Sequence, residues 1–250
     1  MRTGVVATLT LAMSLGASVA AFAEPVAVRF TEGVSRAFPV LRNAKGEKIA
    51  QGDLIQIPRG DRVENRLTFR FRDGSFYDET VVFSQQDVFT LLSYRLVQRG
   101  PSFPETIDAS VDRETGRYTV RYKGDEDSPE EVIKGKLEIP ADAYNGLLST
   151  LMKNLPAGDS ATVQIIAFTP KPRLVKMLLM PASEDTVMMS ETAVPSTRFL
   201  VKPQLGLFAS LLVADIPDIK IWVAGGDAPA FLRFEGPLYF MGPIWRIDWS

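Results

Sequence analysis

Any chemistry in this chain has to be done without histidine or cysteine, because the sequence contains neither. Their absence removes imidazole acid–base catalysis, His-based triads, histidine or thiolate zinc sites and disulfides. Carboxylate-pair glycoside hydrolysis and Ser–Lys nucleophilic chemistry survive. Yet the sequence holds no nucleophile motif, no phosphate-cradling glycine loop and no metal constellation. The acidic run GDEDSPEE at 124–131 lacks the ligand spacing and the turn glycine of a calcium loop, so it reads as solvated. No cofactor and no metal are expected.

The polar residue that stands out is Glu79, and the stretch that positions it is Arg66 to Pro104, read as three consecutive antiparallel strands. Leu67, Phe69 and Phe71 alternate with Arg66, Thr68, Arg70 and Arg72, the period of a strand with one buried face. Asp73-Gly74 marks a hairpin, and Tyr77, Val81 and Phe83 form the apolar face of the return strand. A two-residue Asp-Gly loop would pair Phe69 with Asp78 and put the two apolar faces on opposite sides. A three-residue loop, Arg72-Asp73-Gly74 with Gly74 left-handed, pairs Phe69 with Tyr77 and Leu67 with Glu79. Register follows the hydrophobic pattern, so the three-residue loop is expected. It sends Glu79 to the apolar face, as a rim carboxylate beside an arginine or as a polar anchor inside a cavity.

Two further groups could recognise a ligand. Aromatic residues crowd strand ends and loops, among them Tyr77, Phe103, Trp222, Phe231 and Tyr239. They pack a β core or line an apolar groove, and with Glu79 they form the candidate binding set. Met177, Met180, Met188 and Met189 add adaptable apolar surface. Arg66, Arg70 and Arg72 share the opposite face with Asp78, either as solvated ion pairs or as an anion patch.

About a dozen strands and one helix are expected. KIAQGDLIQI at 48–57 reads as a strand with a bulge at Gly52, and Val88 to Gln98 as a central strand covered on both sides. Leu147, Leu148, Leu151, Met152 and Leu155 recur at helical spacing behind Asp142, predicting a helix over 142–155 capped by Asp142. Strands resume at 161–169, 173–180, 186–190 and 198–201, and again after 219. PQLGLFASLLV at 203–213 reads as a helical turn or buried loop. The fold class is mainly β: a large curled antiparallel sheet or partly closed barrel with one main helix.

The N-terminus carries a secretory signal: Met1-Arg2, an apolar stretch from Val5 to Ala20, and the A-x-A motif Ala21-Phe22-Ala23. Cleavage after Ala23 would leave one β-rich domain, 24–250, in the periplasm, with no further segment long and apolar enough to cross a membrane. The net charge of −2 and the lack of any Lys/Arg run argue against nucleic acid as partner.

The signal peptide, the DGS hairpin, YNGLL at 144–148 and the ending PDIKIWVAGGDAPAFLRFEGPL together resemble uncharacterised exported bacterial proteins built on a curled antiparallel sheet. These are similar in architecture to the lipoprotein carriers LolA and LolB. The resemblance implies a half-closed barrel that holds acyl chains, and it assigns no residue a role. LolB is itself a lipoprotein, whereas this chain has no cysteine to carry a lipid. The expected function is therefore non-catalytic binding or carriage of an apolar or amphipathic, lipid-like ligand. The alternatives are a structural or protein-interaction module of the cell envelope, and a histidine-free, carboxylate-based enzyme acting on glycans.

Overall fold

A computed structural model describes residues 25–125, 127–204 and 218–249. The signal sequence and most of the 203–213 stretch lie outside the described residues. The first half of the chain forms β1 (Ser35–Ala37), β2 (Val40–Arg42), β3 (Lys48–Arg59), β4 (Arg62–Phe71), β5 (Phe76–Gln85), β6 (Phe89–Arg99), β7 (Thr106–Asp112), β8 (Arg117–Lys123) and β9 (Glu131–Lys136). The second half forms α1 (Leu148–Asn154), β10 (Ala161–Thr169), β11 (Lys171–Met189), β12 (Thr192–Gln204), β13 (Ile219–Ala224), β14 (Ala230–Gly236) and β15 (Trp245–Asp248).

These strands make one antiparallel sheet of 15, ordered β10-β11-β12-β13-β14-β15-β2-β3-β4-β5-β6-β7-β8-β9, with β1 added on β3. The chain is thus two meanders, β2–β9 and β10–β15, joined where β15 pairs β2. The mainly β, curled-sheet expectation holds.

The β4–β5 hairpin has the register that the hydrophobic pattern demands. Leu67 pairs Glu79 and Phe69 pairs Tyr77, and Gly74 has φ 87° in a three-residue loop. Val63, Phe69, Tyr77, Val81 and Phe83 are buried on the inner face. On the outer face Arg66 forks onto Asp78 and Arg70 lies over the Phe76 ring.

Three expectations need correction. β6 is not covered on both sides along its length. Its register against β5 shifts between Val82 and Phe83, so the inward set changes from Phe89 and Leu91 to Tyr94, Leu96 and Gln98. Gly52 is no bulge against β4, since it pairs Phe69 in unbroken register. A Cβ there would sit 2.6 Å from Pro39 Cγ and 2.7 Å from Phe69 Cε1, so the glycine admits close packing. The two strands expected at 173–180 and 186–190 are one, β11, which runs on for 19 residues through a register shift between Pro181 and Ser183.

The helix begins later than its periodicity implies. Gly146 has φ 69°, which stops helical propagation, and Asp142 caps nothing. Its carboxylate instead accepts from Gln164 Nε2 at 3.0 Å. Leu147, Leu151 and Met152 are buried as the pattern requires.

The segment 137–147 spans the gap between the two edge strands, β9 and β10. On one flank Leu137 N donates to Gly116 O, and Arg113 donates to the carbonyls of Ile139 and Pro140, each at 2.9 Å. On the other, Tyr144 N donates to Gln164 O and Gln164 N to Asp142 O. Asn145 clamps Ile166, donating from Nδ2 to its carbonyl and accepting at Oδ1 from its amide, both at 2.8 Å. The curl is closed here by a patch of side-chain and backbone bonds and not by a strand ladder.

Ahead of β1 the chain makes only a bridge, Ala27 to Val88, and then a strap along α1. Asn154 Oδ1 accepts from Arg29 N and Phe30 N, and Lys153 pairs with Glu32. Most buried side chains belong to one cluster inside the curl. A small second core sits outside it, where Val187 packs on Trp222 and Leu232.

Candidate ligand-binding site

The curl surrounds a cavity of ≈ 1100 Å³, just above the roughly 300–1,000 Å³ usual for ligand sites. Its walls are mainly aliphatic and aromatic, with Leu67, Leu96, Ile166, Phe168, Met177 and Ile221 among them. Alternation along each strand explains this lining, because every second residue of a curled sheet faces inward.

Four of the six residues singled out from sequence line this cavity: Tyr77, Glu79, Phe231 and Tyr239. The other two do not. Phe103 is buried against Phe71, Tyr77, Tyr239 and Trp245, at centroid distances of 5.4–6.4 Å, and so forms part of the wall behind the lining. Trp222 faces the outside, because it alternates with the inward Ile221 and Val223. Its Nε1 donates to Asp185 at 2.8 Å, and Arg233 lies over its ring.

Among the polar groups of the wall, a compact one is centred on Glu79, and another joins Glu32, Gln56, Asn65 and Lys153. Glu79 accepts from Tyr94 Oη at 2.7 Å, with the Tyr77 phenol close enough to affect its titration. Asn145 of the closing segment is committed to Ile166 and lines the same cavity. The ring of Tyr94 stacks on Phe168 of β10 at 6.1 Å and 5°, which ties edge strand β10 to the inner face of β6. Gly146 presses on the same spot, since a Cβ there would lie 3.5 Å from Glu79 Cδ and 3.3 Å from Val81 Cγ1.

The adjacent carboxylates Asp78 and Glu79 show what the pleat does to charge. Asp78 points out and meets a guanidinium. Glu79 points in and meets only phenols, so burial pushes its carboxyl above the usual glutamate range, partly offset by the bond from Tyr94 and the nearby Tyr77 phenol. Burial, then the nearby Glu79 charge, hold the Tyr77 and Tyr94 phenols well above their ordinary value, so both remain donors.

The neighbours of Glu79 are Leu67 and Leu96 across the strands, with Gly146 above. The described residues contain no cluster of acidic side chains that could hold a metal ion. No described helix is long and apolar enough to cross a membrane.

Tyr94, Gln98 and Asn145 were missed by sequence reasoning. Gln98 continues the apolar alternation of Tyr94 and Leu96 and shares their inner face. Asn145 looked like one more polar position of an amphipathic helix. Only the inward alternation Tyr94, Leu96, Gln98 held a signal.

No protein-family model matches the chain. No curated protein matches it significantly either. Among solved structures, it is similar to the crystal structure of a beta-barrel-like protein of domain of unknown function DUF1849 from Brucella abortus. The TM-score is 0.45 and the identity 11%, over 92% of this chain and 98% of that one.

Proposed function

We propose that this protein is a periplasmic, non-catalytic binding or carrier protein for an apolar or amphipathic, lipid-like ligand held inside the curled sheet. The observation that carries the reading is the ≈ 1100 Å³ cavity with a mainly hydrophobic wall and a few polar groups. Such a cavity gains by burying methylenes and fixes orientation through the few polar groups. The architectural resemblance to LolA and LolB and the leader sequence motivate the carrier role and the compartment.

The test is displacement of the neutral dye N-phenyl-1-naphthylamine from the purified protein by straight-chain alcohols of increasing length. Each added methylene buries about 0.8 kcal/mol of transfer free energy, so affinity should rise roughly fourfold per carbon until the cavity is filled. Salt should matter little, because the alcohols carry no charge. Affinity independent of chain length, or a folded protein that takes up neither dye nor alcohol, would replace this reading with the interaction-module alternative.

A further inference from the structure

We infer that this protein associates with a second copy of itself through β9, at the margin of its sheet, in a two-fold antiparallel pairing centred on Ile133. The inference goes beyond the binding reading and does not depend on it.

β9 stands last in the strand order, with β8 on one side and no strand on the other. Leu137 N donates to Gly116 O at the end of the β8–β9 ladder, which fixes the alternation along it. Residues 131, 133 and 135 bond toward β8, so the N–H and C=O groups of Val132, Lys134 and Lys136 point to the outer edge. Among the described residues none bonds to those groups. The side chains alternate as well. Ile133 packs against the core, whereas Val132 is 48% exposed and Lys134 and Lys136 are exposed beside it. A strand edge with its backbone groups unmet accepts another strand.

The charges select the occupant and the register. A two-fold axis perpendicular to the sheet keeps inward side chains inward, so opposed residues are both even-numbered or both odd-numbered. Centred on Ile133, the pairing sets Val132 against Lys134 and Glu130 against Lys136, each twice. The exposed valine is covered by a lysine stem, and opposite charges face each other. Arg121 of β8 holds Glu130 on this outer face, at 3.2 Å. Moving the centre to Lys134 sets that lysine against its own copy and Glu130 against Glu138. Moving it to Val132 leaves half of β9 without a partner strand. Edge lysines ordinarily deter pairing; here they reject the wrong register and answer Glu130 in the right one. So short an edge buries less than a standard interface, which makes the dimer weak and concentration-dependent.

The experiment is analytical ultracentrifugation of the purified protein at low salt, from roughly 1 μM to 1 mM. The average mass should climb from that of one chain toward that of two. Lys134→Pro removes an outward N–H and no bond of the β8–β9 ladder, so it should keep a cooperative melt and stay monomeric. Glu130→Lys and Lys136→Glu each set like charges against each other twice and should weaken association about tenfold. An equimolar mixture of those two variants sets lysine against glutamate at both places, so association should return to the wild-type level. The mixture also guards against misfolding, since two unfolded variants would not regain the dimer. A one-chain mass for the wild type across the whole range overturns the inference. Association that survives Lys134→Pro overturns the assignment to this edge. A mixture that associates no better than either variant alone overturns the register.

Discussion

The sheet is joined into a curl at two seams that are built differently. At the first, β15 pairs β2 through Arg246–Arg42, Ile247–Leu41 and Asp248–Val40, an ordinary backbone ladder. Asp248 adds ion pairs to Arg42, Arg233 and Arg246 on the outside. At the second, between β9 and β10, named side chains carry much of the work: Arg113 on one flank, Asp142 and Asn145 on the other. A ladder forms for nearly any sequence with β propensity, whereas a patch of side-chain bonds forms only for this one. The patch also lies directly over Glu79 and Tyr94, so the seam most dependent on side-chain identity is the one that shapes the candidate site.

Three substitutions test that contrast. The largest effect should come from Asn145→Ala, which leaves the buried amide and carbonyl of Ile166 unpaired. A loss of roughly 2–4 kcal/mol is expected in urea unfolding. An unchanged midpoint would mean that Asn145 does not hold the second seam.

The next is Glu79→Gln. The folded-state pKa of Glu79 lies above its unfolded value, chiefly because of burial. The folded protein therefore keeps the proton to higher pH than the unfolded chain does. The wild type loses stability as pH rises from the ordinary glutamate value through the raised one. Glu79→Gln removes that loss and keeps an acceptor for Tyr94. It should be more stable than wild type by on the order of 1 kcal/mol at neutral pH, with the gain shrinking as pH falls through that window. A gain that is constant with pH would show that Glu79 is not buried as described.

The smallest effect is assigned to Asp248→Asn at the ladder seam. Its arginine partners are partly exposed, and such pairs contribute little, so a loss of about 0.5 kcal/mol that fades in high salt is expected. A loss as large as that of Asn145→Ala would erase the distinction between the seams.

How much of this was legible in the sequence varies by element, for physical reasons. The β4–β5 register was readable because one buried face and one left-handed glycine leave a single consistent pairing. The inward turn of Glu79 followed from it. The helix was over-extended because Leu147 and Leu148 keep the apolar spacing, while the left-handed Gly146 and the clamp at Asn145 leave no trace in periodicity. Trp222 was assigned to the site on residue type alone, and type does not say which face of a strand looks inward. Gln98 was passed over because it is polar at the end of the apolar alternation Tyr94, Leu96, where a polar residue reads as the exposed end of a strand.

The first seam has a consequence for how the fold is reached. β2 and β15 stand at opposite ends of the described chain, so this pairing has almost the greatest sequence separation available. Loop-closure entropy makes such contacts slow to form. Until Trp245–Asp248 arrives, the first meander keeps the edge of β2 open and the second keeps that of β14 open. Each is a template for pairing with another copy. The four residues of β15 therefore act as a terminal clasp on both edges. A chain cut just before them would have most of its core residues and two sticky margins, so its fate would be decided by self-association more than by lost stability.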